Sequence, residues 1–444
     1  MKAKEGDKVV VDITEWPKKD KNPEGRVIEV LGQPGDPGIE VLSIIREYDF
    51  NVAFPQEVQE QVEKIPQTID RSQHPKRRDL TQKTIVTIDG ADAKDLDDGI
   101  SIEKLDNGNY RLGVHIADVS HYVKENSPLD QEAYDRATSV YLVDRVIPML
   151  PKELSNGICS LNAGVDRLAF TCEMEINTAG KVVNHEFFKS VINVDKRMTY
   201  EVVADVLEGT PVEDKEYLDY KEMLLDMERL AELLHDERRH QRGSIDFDFP
   251  EAKIILDENG RTKDVVLYER TMAHRIIEEF MLVCNETIAE HMYWTNLPFL
   301  FRNHESPSEE KIKALREFLS NFGYKLRKGK DIKPKDVQKL VEDIADTDEE
   351  GFLSRLILRS MQQAKYEPNN EGHFGLAAEY YTHFTSPIRR YPDLYIHRVM
   401  GEMLDKKLND KLIEKREDKI DEVAEHVSEK ERAAEKAERD TDDL

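Results

Sequence analysis

The chain has 444 residues, enough for two or three domains with a sizeable core. It has no stretch of about 18 apolar residues, which argues against a membrane-spanning helix, and its start lacks the hydrophobic segment of a secretory signal. A net charge of −27 argues against a generally basic, nucleic-acid-binding surface, although a basic channel can lie inside an acidic exterior. The three cysteines are widely spaced among apolar residues and predict buried free thiols in a reducing cytoplasm.

The first 55 residues are too few for a complete barrel. Strands are predicted at 8–13 and 25–30. We therefore expect a partial OB-type β-barrel over residues 1–55, which either packs on the following domain or is the later part of a domain that starts outside the chain. Residues 56–79 are polar and rich in Gln and Glu, and they predict a linker to a main domain over 80–444.

An acidic loop follows the first strand of this main domain. Residues 84–88 are all β-branched and predict a strand that enters a core, and residues 99–102 predict the start of the next strand. Lys94 is the only basic residue between the two strands. The loop and its edges carry the aspartates Asp89, Asp92, Asp95, Asp97 and Asp98. Because neighbouring carboxylates repel each other, a positive partner is expected, and hard divalent cations with oxygen ligands commonly supply it.

Three interpretations of this loop compete. A solvated acidic loop is the commonest explanation of a charge run. A calcium loop of the EF-hand type requires glycine at its sixth position, which is absent from every register that starts at Asp89, Asp92 or Asp95. A two-metal centre that clamps both sides of a phosphodiester fits the acids better. The residues alone leave the solvated loop and the metal centre equally open.

Strands and then helices follow along the chain. A hairpin turn is predicted at Asn107 and Gly108, the favoured pair for a tight reversal. Further strands are predicted at 110–116, 168–176 and 186–194. Helices are predicted at 218–235, 274–291, 308–322, 335–345, 350–364 and 392–404, and as one long, largely exposed helix at 410–439. This order predicts an α/β fold, a mixed sheet with helices around a central channel.

A second constellation lies at residues 373–398, where aromatic, glycine and basic residues alternate. Ser386 followed by Pro387 predicts a helix start, with a hydroxyl cap and a proline in the first turn. Arg389 and Arg390 would then project from the first helical turn, where they oppose the helix dipole. Arginines in this unfavourable position would be explained if they bind phosphate oxygens. Pairing of the arginines with surface acids is the alternative, and the residues leave it equally open.

These motifs together resemble the ribonuclease II and ribonuclease R family. The runs HFGL at 373–376 and YTHFTSPIRRYPDLYIH at 381–397 match the family signature, and the acidic loop is similar to its metal-binding loop. Shorter family blocks are VHIADV at 114–119, MLP at 149–151, CSL at 159–161 and IEEF at 277–280. The resemblance covers roughly residues 70–440, and the run LNAGVDR at 161–167 is closer to ribonuclease R than to ribonuclease II.

The resemblance implies a processive 3′→5′ exoribonuclease that takes the single-stranded 3′ end of RNA and releases nucleoside 5′-monophosphates. It implies two Mg²⁺ ions, for which Mn²⁺ can substitute. By their positions, Asp89 and Asp98 match ligands of one ion, and Asp95 and Asp97 match the holders of the second ion and of the attacking water. Arg389 matches the arginine that stabilises the scissile phosphate.

The resemblance also implies RNA-binding residues. Tyr141 and Phe247 match a pair of aromatic residues that clamps the 3′-terminal bases, although spacing alone would make them ordinary core residues. Tyr200 matches the tyrosine that sets the length of the final oligonucleotide. The remaining candidates for RNA contact are Arg390 in the signature and the family acids Glu278 and Glu438.

The chain departs from the family at both ends. The family normally carries two N-terminal cold-shock domains and a C-terminal OB domain, whereas this chain has at most part of one of them. We therefore expect a fragment or a minimal form. We also expect it to be cytoplasmic and monomeric. Two rival functions are an RNA-binding scaffold that has lost catalysis and a metal-dependent phosphatase for small molecules. The four aspartates and Arg389 favour the nuclease, since an inactive relative would usually have lost at least one of them.

Overall fold

The computed structural model describes residues 3–16, 22–247, 251–258, 260–327 and 332–444. Within these ranges the strands are β1 Lys8–Glu15, β2 Glu24–Gly32, β3 Arg78–Asp79, β4 Val86–Asp89, β5 Asp98–Lys104, β6 Tyr110–Ala117, β7 Val140–Leu142, β8 Arg145–Ile147, β9 Asp166–Ile176, β10 Val182–Asn193, β11 Lys196–Thr199, β12 Glu251–Leu256, β13 Thr262–Tyr268, β14 Phe301–Asn303 and β15 Lys365–Glu367. The helices are α1 Ile39–Glu47, α2 Gln56–Val62, α3 Pro128–Arg136, α4 Tyr200–Glu208, α5 Lys221–Asp236, α6 Met272–Thr295, α7 Glu309–Ser320, α8 Pro334–Ile344, α9 Glu350–Ser360, α10 Tyr391–Leu404 and α11 Asp410–Asp442.

A seven-stranded mixed sheet forms the centre of the fold, in the order β11-β4-β5-β6-β9-β10-β3. The two outermost strands, β11 and β3, pair in parallel with their neighbours, and the inner pairs are antiparallel. The predicted α/β class with a mixed sheet is confirmed. The hairpin turn at Asn107 and Gly108 is confirmed as well, with Gly108 at φ 84°, a conformation that glycine adopts without strain.

The sheet topology brings the ends of three strands together at one edge of the sheet. Strand β4 ends at Asp89, and the antiparallel strand β5 begins at Asp98. Strand β11 runs parallel to β4, with Thr199 opposite Asp89, so Tyr200 emerges at the same edge. The acidic loop therefore spans two adjacent strands, as the β-branched run before it predicts.

Long helices cover the sheet and bury its apolar side chains. Helix α6 contributes Ile276, Phe280 and Ile288 to the main core, and α5 packs against α6 through residues such as Leu230. Helix α5 begins three residues later than predicted, because 215–220 forms a tighter 3₁₀ segment. Among the described helices, none is both long and apolar enough to cross a membrane.

The helix α11 is confirmed as one long element, but its prediction as largely exposed is wrong for one face. Ile420, Val423 and Val427 are buried in the main core. Farther along, Ala434 and Ala437 pack in a separate cluster of buried residues. Small alanines at helical spacing provide a contact surface that a count of large apolar residues does not reveal.

The N-terminal part packs on this body. Strands β1 and β2 form a two-stranded sheet, and α1 buries Val41 and Ile45 in the cluster that contains Ala437. The Tyr48 hydroxyl donates a hydrogen bond to Asp440 at 2.6 Å. Residues 56–62, inside the predicted linker, form α2 and bury Val58 and Val62 in the main core.

Residues 386–390 correct one prediction. Ser386 does not start a helix: 387–389 form a turn, and α10 begins at Tyr391. The physical reason is that the Asp393 carboxylate accepts a hydrogen bond from the Ser386 amide at 2.7 Å, and Pro392 supplies the proline of the first turn. The prediction that Arg389 and Arg390 lie in the first helical turn is therefore wrong.

Candidate active site

A cavity of about 270 Å³ lies at the sheet edge where the acidic loop emerges. It is lined by Asp89, Asp95, Asp97, Asp98, Tyr200, Ile277, Glu278, Met281, Leu282, Asn285, Tyr381, Thr385, Ser386, Arg389 and Arg390. Eight of the eleven candidate residues from the sequence line this one cavity. The fold thus brings the two constellations, about 290 residues apart, to one place.

Contacts from Arg197 and Ser160, both outside the loop, hold the acidic loop in shape. The Arg197 guanidinium, on the parallel strand β11, donates hydrogen bonds to the carbonyls of Ala91 and Ala93 at 3.0 and 2.6 Å. The Ser160 hydroxyl donates to the Lys94 carbonyl at 2.8 Å and accepts from the Leu96 amide. These contacts fix the backbone between the two strands, so the carboxylates are not free to swing apart into solvent.

Asp97 joins the acidic loop to the turn that carries Arg389. Its Oδ1 accepts a hydrogen bond from the Ile388 amide at 2.9 Å. Its Oδ2 lies 3.9 Å from the Arg389 Nε. Because the Asp97 side chain is only 5% exposed, burial raises the pKa of its carboxyl well above the ordinary value. Asp97 therefore needs more positive charge than one partly exposed guanidinium supplies.

Asp89 and Asp98 form a pair that is equally short of positive charge. Burial raises the pKa of Asp89 to about 6, against the opposing effect of Arg197. Burial and, to a smaller extent, the neighbouring Asp89 carboxylate raise the pKa of Asp98 to about 8. Within the described residues, the Oδ2 atoms of Asp89, Asp97 and Asp98 are buried and have no hydrogen-bond partner. Three unsatisfied carboxylate oxygens in one cavity are a donor set that fits a hard divalent cation.

The protein atoms alone do not enclose a cation. In the part of the chain that the structure describes, no group of three or more His, Cys, Asp or Glu side chains is arranged so that it could hold a metal ion. A divalent cation can also be bound by only one or two carboxylates, together with waters and substrate phosphates, as is usual for Mg²⁺.

The two arginines of the signature have different surroundings. Arg389 has a side chain that is 41% exposed, and its Nη2 donates to the Ser386 hydroxyl at 3.1 Å. Arg390 forms two hydrogen bonds to the Asp393 carboxylate, at 3.0 and 2.8 Å. Its position beside Asp393 raises the pKa of Arg390 above an already high value, although burial opposes this. Arg389 is therefore the arginine with donors left for a ligand.

Aromatic and acidic candidates lie around the same cavity. The Tyr141 hydroxyl, on β7, donates to Asp95 Oδ2 at 3.4 Å. Tyr200 stacks on His274, with ring centroids 3.9 Å apart and planes inclined by 21°. Glu278 forms an ion pair with Arg270 at the cavity wall.

Phe247 and Glu438 lie elsewhere. Phe247 packs against the cluster of α7, α8 and α9 and is not among the described residues that line the cavity. Glu438 is on α11 with its side chain mostly exposed, and partial burial together with the nearby Asp442 raises the pKa of its carboxyl. The structure therefore does not bring these two candidates into the cavity with the aspartates.

Several residues that shape the site were not predicted as site residues. Arg197 and Ser160 act through backbone carbonyls of the loop, and Asn285 accepts a hydrogen bond from the Phe384 amide at 2.9 Å. Their roles depend on the pairing of β11 with β4 and on the packing of α6. The sequence carries no local signal for these long-range contacts.

Comparison with known protein families gives two matches. Residues 77–406 match the RNB domain, and residues 1–55 match the cold shock domain. The RNB match spans most of the 444 residues, so this chain belongs to the RNB-domain family. The predicted resemblance is thereby confirmed. Nucleases of this family are metal-dependent in general.

Curated relatives carry the name ribonuclease R. That of Thermotoga maritima is 49% identical over 406 residues, which is 91% of this chain and 57% of that protein. That of Aquifex aeolicus is 43% identical over 443 residues, 100% of this chain and 62% of that protein. The chain thus spans little more than half the length of these relatives.

Solved structures agree with the fold. Mycoplasma genitalium ribonuclease R, in complex with ribose-methylated single-stranded RNA, has a TM-score of 0.93 and 29% identity, and the match covers 99% of this chain and 68% of that one. A yeast pseudonuclease has a TM-score of 0.77 at 21% identity over 98% of this chain and 54% of that one, which shows a shared fold alone.

The raised pKa values predict how stability depends on pH in the metal-free protein. The folded-state pKa values of Asp89 and Asp98, about 6 and about 8, exceed the ordinary 3.8. The folded state therefore binds more protons than the unfolded state in this window, and stability falls as pH rises from about 4 to about 8. Melting temperatures measured in EDTA across this range should show the fall.

The matched control is Asp98→Asn, whose amide does not titrate. We expect a flatter pH dependence for this variant than for the wild type, since other titrating groups are the same in both. If the two proteins lost melting temperature equally over this range, Asp98 would not be a strained, buried carboxylate.

Proposed function

We propose that this chain is a metal-dependent, processive 3′→5′ exoribonuclease that degrades single-stranded RNA to nucleoside 5′-monophosphates. The observation that supports it most directly is the cavity in which three unpartnered carboxylate oxygens lie beside the partly exposed Arg389. Binding a phosphodiester requires cationic groups, and hydrolysing one requires an activated water. The cavity offers residues for both tasks.

The carboxylates are proposed to hold two Mg²⁺ ions, or Mn²⁺ in their place. Asp89 and Asp98 would bind one ion, and Asp95 and Asp97 would bind the second. When bound, such ions make hydroxide available near neutral pH and neutralise charge on a leaving oxygen. The chain's own contribution is to hold the four carboxylates in a fixed loop, through Arg197 and Ser160, at the edge of the sheet.

Arg389 is proposed to bind the scissile phosphate. Its backbone carbonyl accepts hydrogen bonds from the Ser139 amide at 2.9 Å and from the Thr138 hydroxyl at 3.2 Å, so the residue is anchored while its guanidinium faces the cavity. A planar guanidinium matches two phosphate oxygens at once. Asp97, 3.9 Å away, would orient that guanidinium until a phosphate takes its place.

Aromatic rings are proposed to hold the bases. Tyr141 lies beside Asp95, and Tyr200 lines the cavity on its stack with His274. Phe247 is proposed as the second half of the clamp with Tyr141. Stacking accepts every base, so degradation would not depend on sequence. Arg390, Glu278 and Glu438 are proposed as further RNA-contacting residues, with Arg390 acting mainly by holding Asp393.

The remaining proposals concern organisation. The matches to cold shock and RNB domains support a division into a partial cold-shock domain at 1–55, a linker at 56–79 and a catalytic domain at 80–444. Three buried free cysteines support a reducing compartment such as the cytoplasm. We further propose that the chain acts as a monomer.

An RNA-binding scaffold without catalysis is the main alternative. A yeast protein described as a pseudonuclease shares the fold, so the fold alone does not decide. Here Asp89, Asp95, Asp97, Asp98 and Arg389 are all present and all line one cavity. This complete set favours the nuclease.

The first test is Asp97→Asn. The change removes one negative charge from the cavity and keeps the side-chain shape and the hydrogen bond from Ile388, so cleavage of single-stranded RNA in Mg²⁺ should fall by about a thousandfold or more, with RNA binding equal or tighter. EDTA should stop the wild type, and Mg²⁺ should restore it. Products are resolved on a denaturing gel.

The control is Asp92→Asn, in the same loop but exposed and not among the residues that line the cavity. This variant should cleave at the wild-type rate. Near-normal turnover of Asp97→Asn would contradict the assignment of the carboxylates, and wild-type turnover in EDTA would contradict metal dependence.

A second test is Tyr200→Ala. The Tyr200 ring is proposed to hold the last nucleotides in register, so its loss should leave a longer final fragment and change the rate less. Tyr200→Phe keeps the ring and its stack on His274, and it should give the wild-type end product. An end product of unchanged length in the alanine variant would show that Tyr200 has another role.

A further inference from the structure

A second and larger cavity, of about 970 Å³, shares no lining residue with the reaction centre. Residues 73–78, the segment after β6, Lys189 of β10 and the end of α10 surround it. Eight Lys and Arg side chains line this cavity but only four Asp and Glu side chains do. In a chain of net charge −27, such a local excess of positive charge is a feature that needs a partner.

Five of these cations are neutralised by carboxylates. Arg77 pairs with Asp118, which is almost fully buried, and Lys189 and Lys407 share Asp405 at 3.3 and 2.9 Å. The other two, Arg78 and Arg398, also have acidic partners. These pairs build a rigid rim, since Arg77 and Arg398 are themselves largely buried.

The remaining three cations are exposed lysines, Lys76, Lys124 and Lys406. Among the described residues, none of the three has a carboxylate within ion-pair distance. Desolvation lowers the pKa of Lys124, and although Asp118 opposes this, the nearby cations Lys189, Arg77 and Lys407 lower it further. An anion in the cavity would relieve this repulsion.

Two backbone features lie beside these lysines. Gly401, in the buried helix α10, is close to Lys189, since a Cβ at this position would be 3.1 Å from the Lys189 Nζ. Lys406 has φ 54° just after α10, and its amide donates to the Met403 carbonyl at 3.0 Å, as is common where a helix ends in the left-handed conformation.

We propose that this basic cavity binds phosphodiester groups of an RNA strand at a site distinct from the reaction centre. The inference rests on the proposed function, because it takes RNA as the ligand of this protein. Lysines act as point charges for phosphate and carry no base preference. His74 and His121 in the cavity wall meet edge to face, at 76°, so they offer no paired stacking surface. The site would therefore bind the phosphate backbone of the RNA and not its bases.

Helix α10 sets the distance between the two sites. Arg390 caps its start at the reaction centre, and Lys406 and Lys407 follow its end at the basic cavity. Its 14 residues span about 21 Å at 1.5 Å per residue. A short oligonucleotide at the reaction centre would not reach the basic cavity, whereas a long strand would.

The test replaces Lys76, Lys124 and Lys406 together by glutamine. Affinity for a long single-stranded RNA is measured against salt in EDTA, where cleavage does not occur. Each lost phosphate contact should reduce the slope of log affinity against log salt by about 0.7, so the triple variant should lose roughly 2 from the slope. Cleavage of a short oligonucleotide in Mg²⁺ should stay at the wild-type rate.

Two further variants make the result specific. Lys64, Lys339 and Lys411 are exposed lysines elsewhere, and their joint replacement by glutamine should leave the slope unchanged. Replacement of the three cavity lysines by arginine keeps the charge and should retain the wild-type slope.

Three outcomes would overturn the proposal. In the first, both glutamine triple variants have the wild-type slope of log affinity against log salt, and the short oligonucleotide is still cleaved. The assignment of a second RNA-binding site would then be wrong, whereas the proposed function would stand. If the wild type neither bound nor cleaved RNA, both would fail. If polyglutamate bound the wild type more tightly than RNA did, and lost that affinity in the cavity variant, the ligand would be an acidic peptide.

Discussion

Electrostatic repulsion among the carboxylates of residues 89–98 is the constraint on which the structure depends. An ionised carboxylate in a buried position is costly unless a positive charge or hydrogen bonds compensate it. The fold supplies only part of this compensation: Arg197 and Arg389 lower the pKa of Asp89, yet burial still raises it to about 6. The remaining charge can be neutralised by protons or by a cation. A site of this kind is kept under strain for a ligand, as functional sites commonly are.

The same carboxylates connect distant parts of the chain. The Asp97 carboxylate accepts a hydrogen bond from the Ile388 amide, and the Asp393 carboxylate accepts one from the Ser386 amide. The turn that carries Arg389 is therefore held from both sides. The hydrogen bond from the Ser139 amide to the Arg389 carbonyl adds the segment that leads to Tyr141. One backbone network thereby positions the arginine proposed to bind phosphate, the loop proposed to bind metal and the ring proposed to stack on a base. This rigidity is what a two-metal hydrolysis needs, since small displacements of catalytic groups are costly.

Much of this could be predicted from local patterns. The β-branched run before Asp89 predicts strand β4, and the aspartates after it predict an acidic sheet edge. The start of α10 was predicted wrongly, because Ser386 and Pro387 have the residue types of a helix start, and only the hydrogen bond from the Ser386 amide to the Asp393 carboxylate, seen in the structure, decides against them. Arg197 and Ser160 were missed for a related reason: their contacts depend on non-local strand pairing and packing. The buried face of α11 consists partly of alanines, which carry a weak apolar signal.

The central claim is that Asp89 and Asp98 are held together for a divalent cation. Calorimetric titration of the metal-free protein with Mn²⁺, at about pH 7 in two buffers of different ionisation enthalpy, measures both affinity and proton release. Because burial raises the pKa of Asp98 to about 8 and that of Asp97 well above its ordinary value, binding should release protons. In Asp98→Asn the affinity should fall and fewer protons should be released. Equal affinity and equal proton release in the two proteins would contradict the claim.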